Sequence, residues 1–575
     1  MMANRQRITM KVLRHCVLLV LFCVFRPAQA QNTESLQQEI KGHMKNLPFA
    51  MPELTVQTFP DHRVSISDCG AVADGITLNT KAFDVAVQEC AKAGGGSVIV
   101  PPGTWLTGPI RLQSNIELHL ERGALVQFSS RIEDFPIVAG LDGKSKDFVR
   151  LPPISGQKLN HIAITGEGIF DGAGEFWRPV KMEKLTSRQW KELIASGGVV
   201  SPDGKTWWPS KEARDGEEYI RSLKESGGHA AAEDYAKARE YLRPDLVHFE
   251  KCTGIFLDGV TFENSPRFHV HPVQSENIVV RNLKILAPWY AQNGDGLDLS
   301  SCRNVVVYNT TVDAGDDGIC IKAGSISKSQ KPGPACENIV IDDCTVYHAH
   351  GGFVVGSESY GGASNISVRN CMFIGTDVGV RFKSVRGKGG VVENIYIDGI
   401  QMRAIANEAI LFDMYYGGDS PEIEAEKNRG ESHAEPVTER TPQFRNISLK
   451  NIVCNGARRA VLLNGLPEMP VKDIRMENVD ISAQTGVLCI DVDGFDLGHS
   501  AIYATAGPVI SVNQCKNLNL SQIKYLKGAD SFLRVDGDKT ENIKVAGVDL
   551  SLAKKKIDFG KSADSKAVVI DEDKK

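Results

Sequence analysis

Between Asn293 and Lys322 the chain reads NGDGLDLSSCRNVVVYNTTVDAGDDGICIK, with carboxylates near both ends. Asp295 stands near the first end and the pair Asp316, Asp317 near the second, an offset of 316 − 295 = 21 residues. If that offset is one coil of a stacked β-solenoid, the acids lie on neighbouring coils about 4.7–4.9 Å apart. Carboxylates crowded in this way repel one another, so at least one holds a proton near neutral pH through a raised pKa. That is the arrangement acid/base hydrolysis needs.

Further candidates follow in order: Lys322, then His350-Gly351-Gly352, then Arg381-Phe382-Lys383. Side chains two apart on a strand point the same way, so Arg381 and Lys383 offer two cations on one face, suited to an anionic ligand. Taken singly each group is ordinary. Asp-Asp-Gly makes turns, a histidine among glycines sits in loops, and Arg-x-Lys decorates solvated strands. Their succession about one coil apart marks a working site.

The elements that must carry these groups announce themselves by repetition. An asparagine followed by an alternating apolar run recurs at Asn115, Asn160, Asn277, Asn304, Asn338, Asn365, Asn394, Asn446, Asn517 and Asn542, with Asp473 in the same role. Offsets in the middle twenties dominate, and the larger ones read as coils carrying insertions. Short β-branched runs with a turn residue at a fixed place, and no helical period between them, predict a parallel β-solenoid whose corner asparagines pair their amides along the axis. Asn309, Asn365, Asn446 and Asn519 also fit glycosylation sequons, but lie inside the repeats and read as packing positions.

Ahead of the repeats, residues 1–30 read as a secretory signal. Arg5, Arg7, Lys11 and Arg14 precede the apolar run Cys16 to Phe25, and Ala28-Gln29-Ala30 supplies a cleavage site. The run is short for a membrane span, and no later stretch replaces it. Cys23 lacks the small preceding residue of a lipid-modified cysteine. Residues 31–62 form an N-terminal extension. Then Asn79 or Thr80 starts a helix with Phe83, Val87 and Cys90 on one face, stopped by Gly94-Gly95-Gly96 and placed to cover the open end of the stack. The solenoid is assigned to residues 63–555, with insertions at about 178–244 and 417–443 and a tail at 556–575. The tryptophans of the first insertion, Trp190, Trp207 and Trp208, suggest a cleft wall.

The net charge of −5 gives no sign of a nucleic-acid or anionic-membrane partner. Thirteen cysteines less Cys16 and Cys23 leave eleven, an odd number that rules out a complete disulfide framework. Several occupy equivalent repeat positions and read as small apolar residues inside the solenoid.

Asn293-x-Asp295, Asp316-Asp317, His350-Gly351 and Arg381-x-Lys383, in this order, resemble the polygalacturonase family of pectin hydrolases, glycoside hydrolase family 28. GEGIFDGAGEFW from Gly166 and NSPRFHVHP from Asn264 are similar to it as well, and the resemblance spans roughly residues 64–550. It implies an all-β fold, a right-handed single-stranded parallel β-helix capped by an N-terminal α-helix, with loop insertions. It also implies hydrolysis of α-1,4-galacturonosidic bonds with inversion, needing no cofactor or metal. By the same resemblance Asp316 is the general acid, Asp295 and Asp317 activate water, and His350 tunes the acid. Asn293, Lys322, Arg381 and Lys383 bind substrate. Inversion sets acid and base carboxyls about 6.5–9.5 Å apart. Ala349 departs from the glycine usual before the histidine, and the gap 350 − 317 = 33 implies an extra loop. The expected partner is a pectic polysaccharide, attacked from a chain end because the first insertion closes one end of the groove; oligomeric state is left open. The competing readings are a rhamnogalacturonan or substituted-galacturonan hydrolase, a polysaccharide lyase, and a carbohydrate-binding solenoid without turnover.

Overall fold

A computed structural model describes residues 28–140, 147–226, 231–324, 333–417 and 433–571. Most of the expected signal sequence, the core of the second insertion (418–432) and most of the extra loop before His350 (325–332) lie outside the described residues.

The repeated phrase works through its first residue. Asn277, Asn304, Asn338, Asn365, Asn394, Asn446, Asn517 and Asn542 all take left-handed backbone, φ between 51° and 57°, a conformation asparagine tolerates better than most residues. Each turns the chain into a strand, and the amides pair along the axis, Asn304 Nδ2 to Asn277 Oδ1 at 3.1 Å and Asn338 Nδ2 to Asn304 Oδ1 at 3.2 Å. The Asn160 phrase differs, because there His161 takes the left-handed corner, φ 53°.

The residue after each corner points inward. Ile278, Val305, Ile339, Ile366, Ile395, Ile447, Ile474, Phe495, Leu518 and Ile543 stack in one register down the cylinder. Each is at most 1% exposed. Burial of such side chains contributes roughly 1.5–3 kcal/mol apiece. Among the described residues 38 strands join in one sheet that winds as a right-handed parallel β-helix. The stack runs beyond residue 555: Lys555–Phe559 pairs with Ser531–Asp536 and Val568–Asp571 with Glu541–Ala546. The expected tail therefore builds another coil, one without the asparagine phrase.

Helix α1, Ala28–His43, and the segment after it lie along the outside of the sheet. Ile40 and Leu54 cover the outward-facing Val279, Val306 and Val340, and His43 Nδ1 meets Asp342 Oδ2 at 2.8 Å. The extension is thus a strap. Helix α2, Thr80–Lys92, buries Phe83, Val87 and Cys90 against the first coil. Asn79 precedes it but makes no capping bond; its side chain ties Val72, Thr77 and Leu106 together instead. The eleven cysteines of the described residues are unpaired, ten of them buried. No helix of the described residues is long and apolar enough to cross a membrane.

Candidate active site

Seven strands on one wall carry the candidates: β1 (Val247–Glu250), β2 (Val270–Val273), β3 (Leu297–Ser300), β4 (Asp317–Lys322), β5 (Gly351–Val355), β6 (Val380–Lys383) and β7 (Glu408–Asp413). Leu297 pairs with Ile319, which sets Asp295 opposite Asp317, and Asp317 pairs with Gly351, which sets Asp316 opposite His350. The coil is therefore 22 residues long here. Gly318 lets the coils close: a Cβ there would meet Val346 at 2.5 Å and the Gly351 carbonyl at 2.9 Å.

The three acids converge, with one oxygen of each within 4.8 Å of the others. These nearest oxygens lie closer than the 6.5–9.5 Å expected between acid and base carboxyls. Two buried ammonium groups offset the repulsion. Lys322 Nζ lies 2.8 Å from Asp295 Oδ2 and 2.7 Å from Asp298 Oδ1, and Lys383 Nζ lies 2.8 Å from Asp317 Oδ2.

These pairings give the two lysines expected to bind substrate partners among the acids themselves. Lys322, 8% exposed, is held between two carboxylates and its ammonium sits over the Phe268 ring at 3.9 Å. Lys383, 5% exposed, is occupied by Asp317. Both lysines anchor acids. Arg381 shares the face of Lys383 as expected; its Nη1 donates to the His350 carbonyl at 3.2 Å, and its guanidinium and the Lys383 ammonium both lie over the Tyr416 ring. Asn293 Oδ1 accepts from Arg243 Nη2 at 2.8 Å.

His350 Nδ1 stands 3.1 Å from Asp316 Oδ1, while Nε2 faces Lys184 Nζ at 3.4 Å and Asp377 Oδ2 at 3.7 Å. Lys184 comes from the first insertion, which thus reaches the acids. Of its three tryptophans, Trp207 packs within the insertion and donates to the Gly197 carbonyl at 2.7 Å.

The acids divide electrically. Burial, reinforced by Asp298, Asp316 and Asp317, raises Asp295 well above the usual carboxylate range against the pull of Lys322. Burial also raises Asp298. Burial pushes Asp316 up too, but the hydrogen bond and charge of His350, with Lys383 and Lys322, carry it down to about 2. Of the three converging acids, Asp295 is the one whose surroundings most favour the protonated form. Asp316, expected as the acid, is instead held low by its contact with His350.

Sequence reasoning missed Asp298, Lys184, Arg243 and Tyr416. Asp298 had a signal, being an acid inside an apolar strand. Asp245, His248 and His271 form a second group with ligand atoms within 4.8 Å of one another. His248 Nδ1 and His271 Nδ1 both face Asp245 Oδ2, at 3.1 and 2.7 Å, so internal hydrogen bonds account for the cluster as it stands.

The family model of glycosyl hydrolases family 28 matches residues 181–501. A probable polygalacturonase of Vitis vinifera is 28% identical over 76% of this chain and 79% of its own length. An exo-poly-alpha-D-galacturonosidase of Dickeya chrysanthemi is 28% identical over 63% of this chain, which spans 58% of that relative. Among solved structures, a hyperthermoactive exopolygalacturonase from Thermotoga maritima matches with a TM-score of 0.61 and 29% identity, covering 79% of this chain and 95% of that one.

Proposed function

This chain belongs to glycosyl hydrolases family 28, and on that premise we propose that it hydrolyses α-1,4-linked galacturonate in pectic polysaccharide, starting from a chain end. The observation that carries the reading is the convergence of Asp295, Asp316 and Asp317 beside Lys322 and Lys383. Three acids sharing a site with one proton-bearing member suit glycoside hydrolysis.

In this reading the substrate's carboxylate is drawn to Arg381, Lys184 and His350. It competes with Asp316 for the charge of His350, so the proton stored on Asp295 passes to Asp316. Asp316 gives that proton to the glycosidic oxygen as the bond to the anomeric carbon breaks. Asp295, now ionised, and Asp317 hold the attacking water; one of them takes its proton as the new C–O bond forms on the opposite face, the inverting outcome that the family resemblance implies and the carboxyl spacing does not supply. Asp316 is the most exposed of the three, its side chain 15% accessible against 4% for the other two, which supports its facing the sugar. Attack from a chain end is supported by the reach of the first insertion to His350 and by the names of the relatives from Dickeya chrysanthemi and Thermotoga maritima. The order of charged, apolar and small residues in 1–30 supports action outside the cytoplasm.

The test is product analysis on polygalacturonate with and without a calcium chelator. Chelator-insensitive release of short saturated products from the outset is expected. A gain in ultraviolet absorbance would assign a lyase, and a spread of long oligomers at early times would refute attack from the end.

A further inference from the structure

In the acid coils the chain leaves one strand and starts another at the corner that carries Asp295, Asp316 and His350. Further along the cylinder, strands β8 (Gln443–Asn464), β9 (Val471–Ile490) and β10 (Ala501–Asn513) run through the same corner unbroken. Their pairing shifts register there, between Asn455 and Ala457 and between Thr485 and Val487. Such bulges bend a strand and re-aim its side chains. The bend borders a groove of about 770 Å³, within the size class of ligand sites.

The groove continues the corner of the acids. Backbone amides lead to it coil by coil: His350 donates to the Asp316 carbonyl at 2.7 Å, Asp377 to Ala349 at 2.9 Å, Asn407 to Asp377 at 2.8 Å and Arg458 to Asn407 at 2.8 Å. Arg458 therefore lies four coils beyond Asp316, roughly 19 Å away at the spacing of parallel strands. On the other side of the acids the first insertion crowds the corner, with Arg243 on Asn293. A polymer engaged at its end has its remainder on the side of the groove.

The surroundings change character along this line. The acid coils present Lys184, His350 and Arg381. In the groove Arg458 alone of the lining residues is charged, and Glu408, its side chain 3% exposed, faces it at 3.6 Å. The rest is apolar or neutral: Tyr503, Leu526 and Ala483 beside the exposed amides of Asn455 and Gln484. A carboxylate laid on this surface gives up water and meets a cation that already has a carboxylate partner, which is unfavourable. A methyl ester carries no charge to desolvate. The flat apolar face of a sugar suits an aromatic ring such as that of Tyr503.

We propose that this groove holds the stretch of polysaccharide beyond the cleaved bond in uncharged form, as galacturonan whose carboxyls are methyl esters. The proposal rests on the reading of the acid site as a galacturonate hydrolase and adds the esterification state of the chain it works on. Free carboxylates are needed beside the acids, and esters are favoured four coils away.

The experiment is retardation of the whole protein in native gels containing galacturonan of one length, either highly methyl-esterified or fully de-esterified. It is run on Asp316→Asn, so that the polymer is not consumed, and on the same chain carrying Tyr503→Ala, Tyr503→Phe or Gln484→Ala. Tyr503→Ala and Gln484→Ala are each expected to weaken binding of the esterified polymer about tenfold and to leave the de-esterified one within about twofold. Tyr503→Phe keeps the ring and is expected to bind as its parent does. With Asp316 in place, the groove variants are expected to hydrolyse trigalacturonate, which occupies the acid coils alone, at the wild-type rate. Unchanged retardation in the folded variants overturns the proposal, and so does an equal loss for both polymers. If wild type releases no reducing ends from trigalacturonate, the hydrolase reading fails instead, and the gels still report on the groove.

Discussion

His350 and Asp316 stand opposite one another on adjacent coils, with Nδ1 3.1 Å from Oδ1 and the His350 amide donating to the Asp316 carbonyl at 2.7 Å. The contact fixes the orientation of the most exposed acid and lowers its carboxyl to about 2. Catalysis on this scheme depends on a ligand that alters the contact, because the proton must move before the bond breaks.

Asp316→Asn removes the donor without changing shape. Release of reducing ends from polygalacturonate is expected to fall on the order of 10³-fold or more, about 4 kcal/mol of transition-state stabilisation, with the thermal midpoint within a few degrees of wild type. Near-normal turnover would remove Asp316 from the role of acid.

Lys322→Met leaves Asp295 and Asp298 buried without their shared cation. Breaking a buried pair in this way costs about 3–5 kcal/mol, read as a lower denaturation midpoint. Adding Asp298→Asn to the same chain is expected to restore part of the loss, since the Asp298 carboxylate is then no longer stranded. A double variant no more stable than the single would mean that Asp298 is not the source of the penalty.

Asp491 supplies a pH test remote from the acids. Burial, with Glu468, raises its carboxyl to about 7 against the pull of Lys539 and Arg386. The folded state holds this proton more tightly than the unfolded one, so the stabilisation is complete below about pH 4 and drains away as pH rises through 7. Asp491→Asn is therefore expected to match wild type near pH 4 and to exceed it at pH 8 by up to about 4 kcal/mol. Melting curves across pH 4–8 decide it; a constant gap would contradict the assignment.

Asn338→Ala tests the corner ladder. The position is left-handed, φ 57°, and its amide bridges Asn304 and Asn365. Alanine is expected to cost roughly 1–2 kcal/mol for the backbone alone, and glycine less, because it carries no Cβ. A glycine variant as unstable as the alanine one would shift the weight from the backbone to the amide pairing.

Much of this architecture was written in the period of the apolar runs, because each corner asparagine fixes where a strand begins and the strand then alternates. The acids were legible for the same reason, since a known coil length places Asp295 over Asp317. Lys322 and Lys383 were visible as cations near the acids, but the order of residues does not say which carboxylate each one meets. Lys184 and Arg243 come from insertions without a period, where nothing in the order of residues says which side chain folds back. The strap did leave a trace. Val279, Val306 and Val340 interrupt the alternation by pointing outward, and an outward stripe of valines calls for a cover.

That cover has a temporal cost. His43 meets Asp342 across 299 residues of sequence, and the Arg369 guanidinium holds the His43 and Lys45 carbonyls from still further along. A ribosome releases the strap first and its berth only after more than half the polypeptide exists, so α1 waits undocked while the cylinder winds beneath it. Closing this seam carries the loop-closure entropy of roughly three hundred residues, which sets its docking apart from the local winding of the coils.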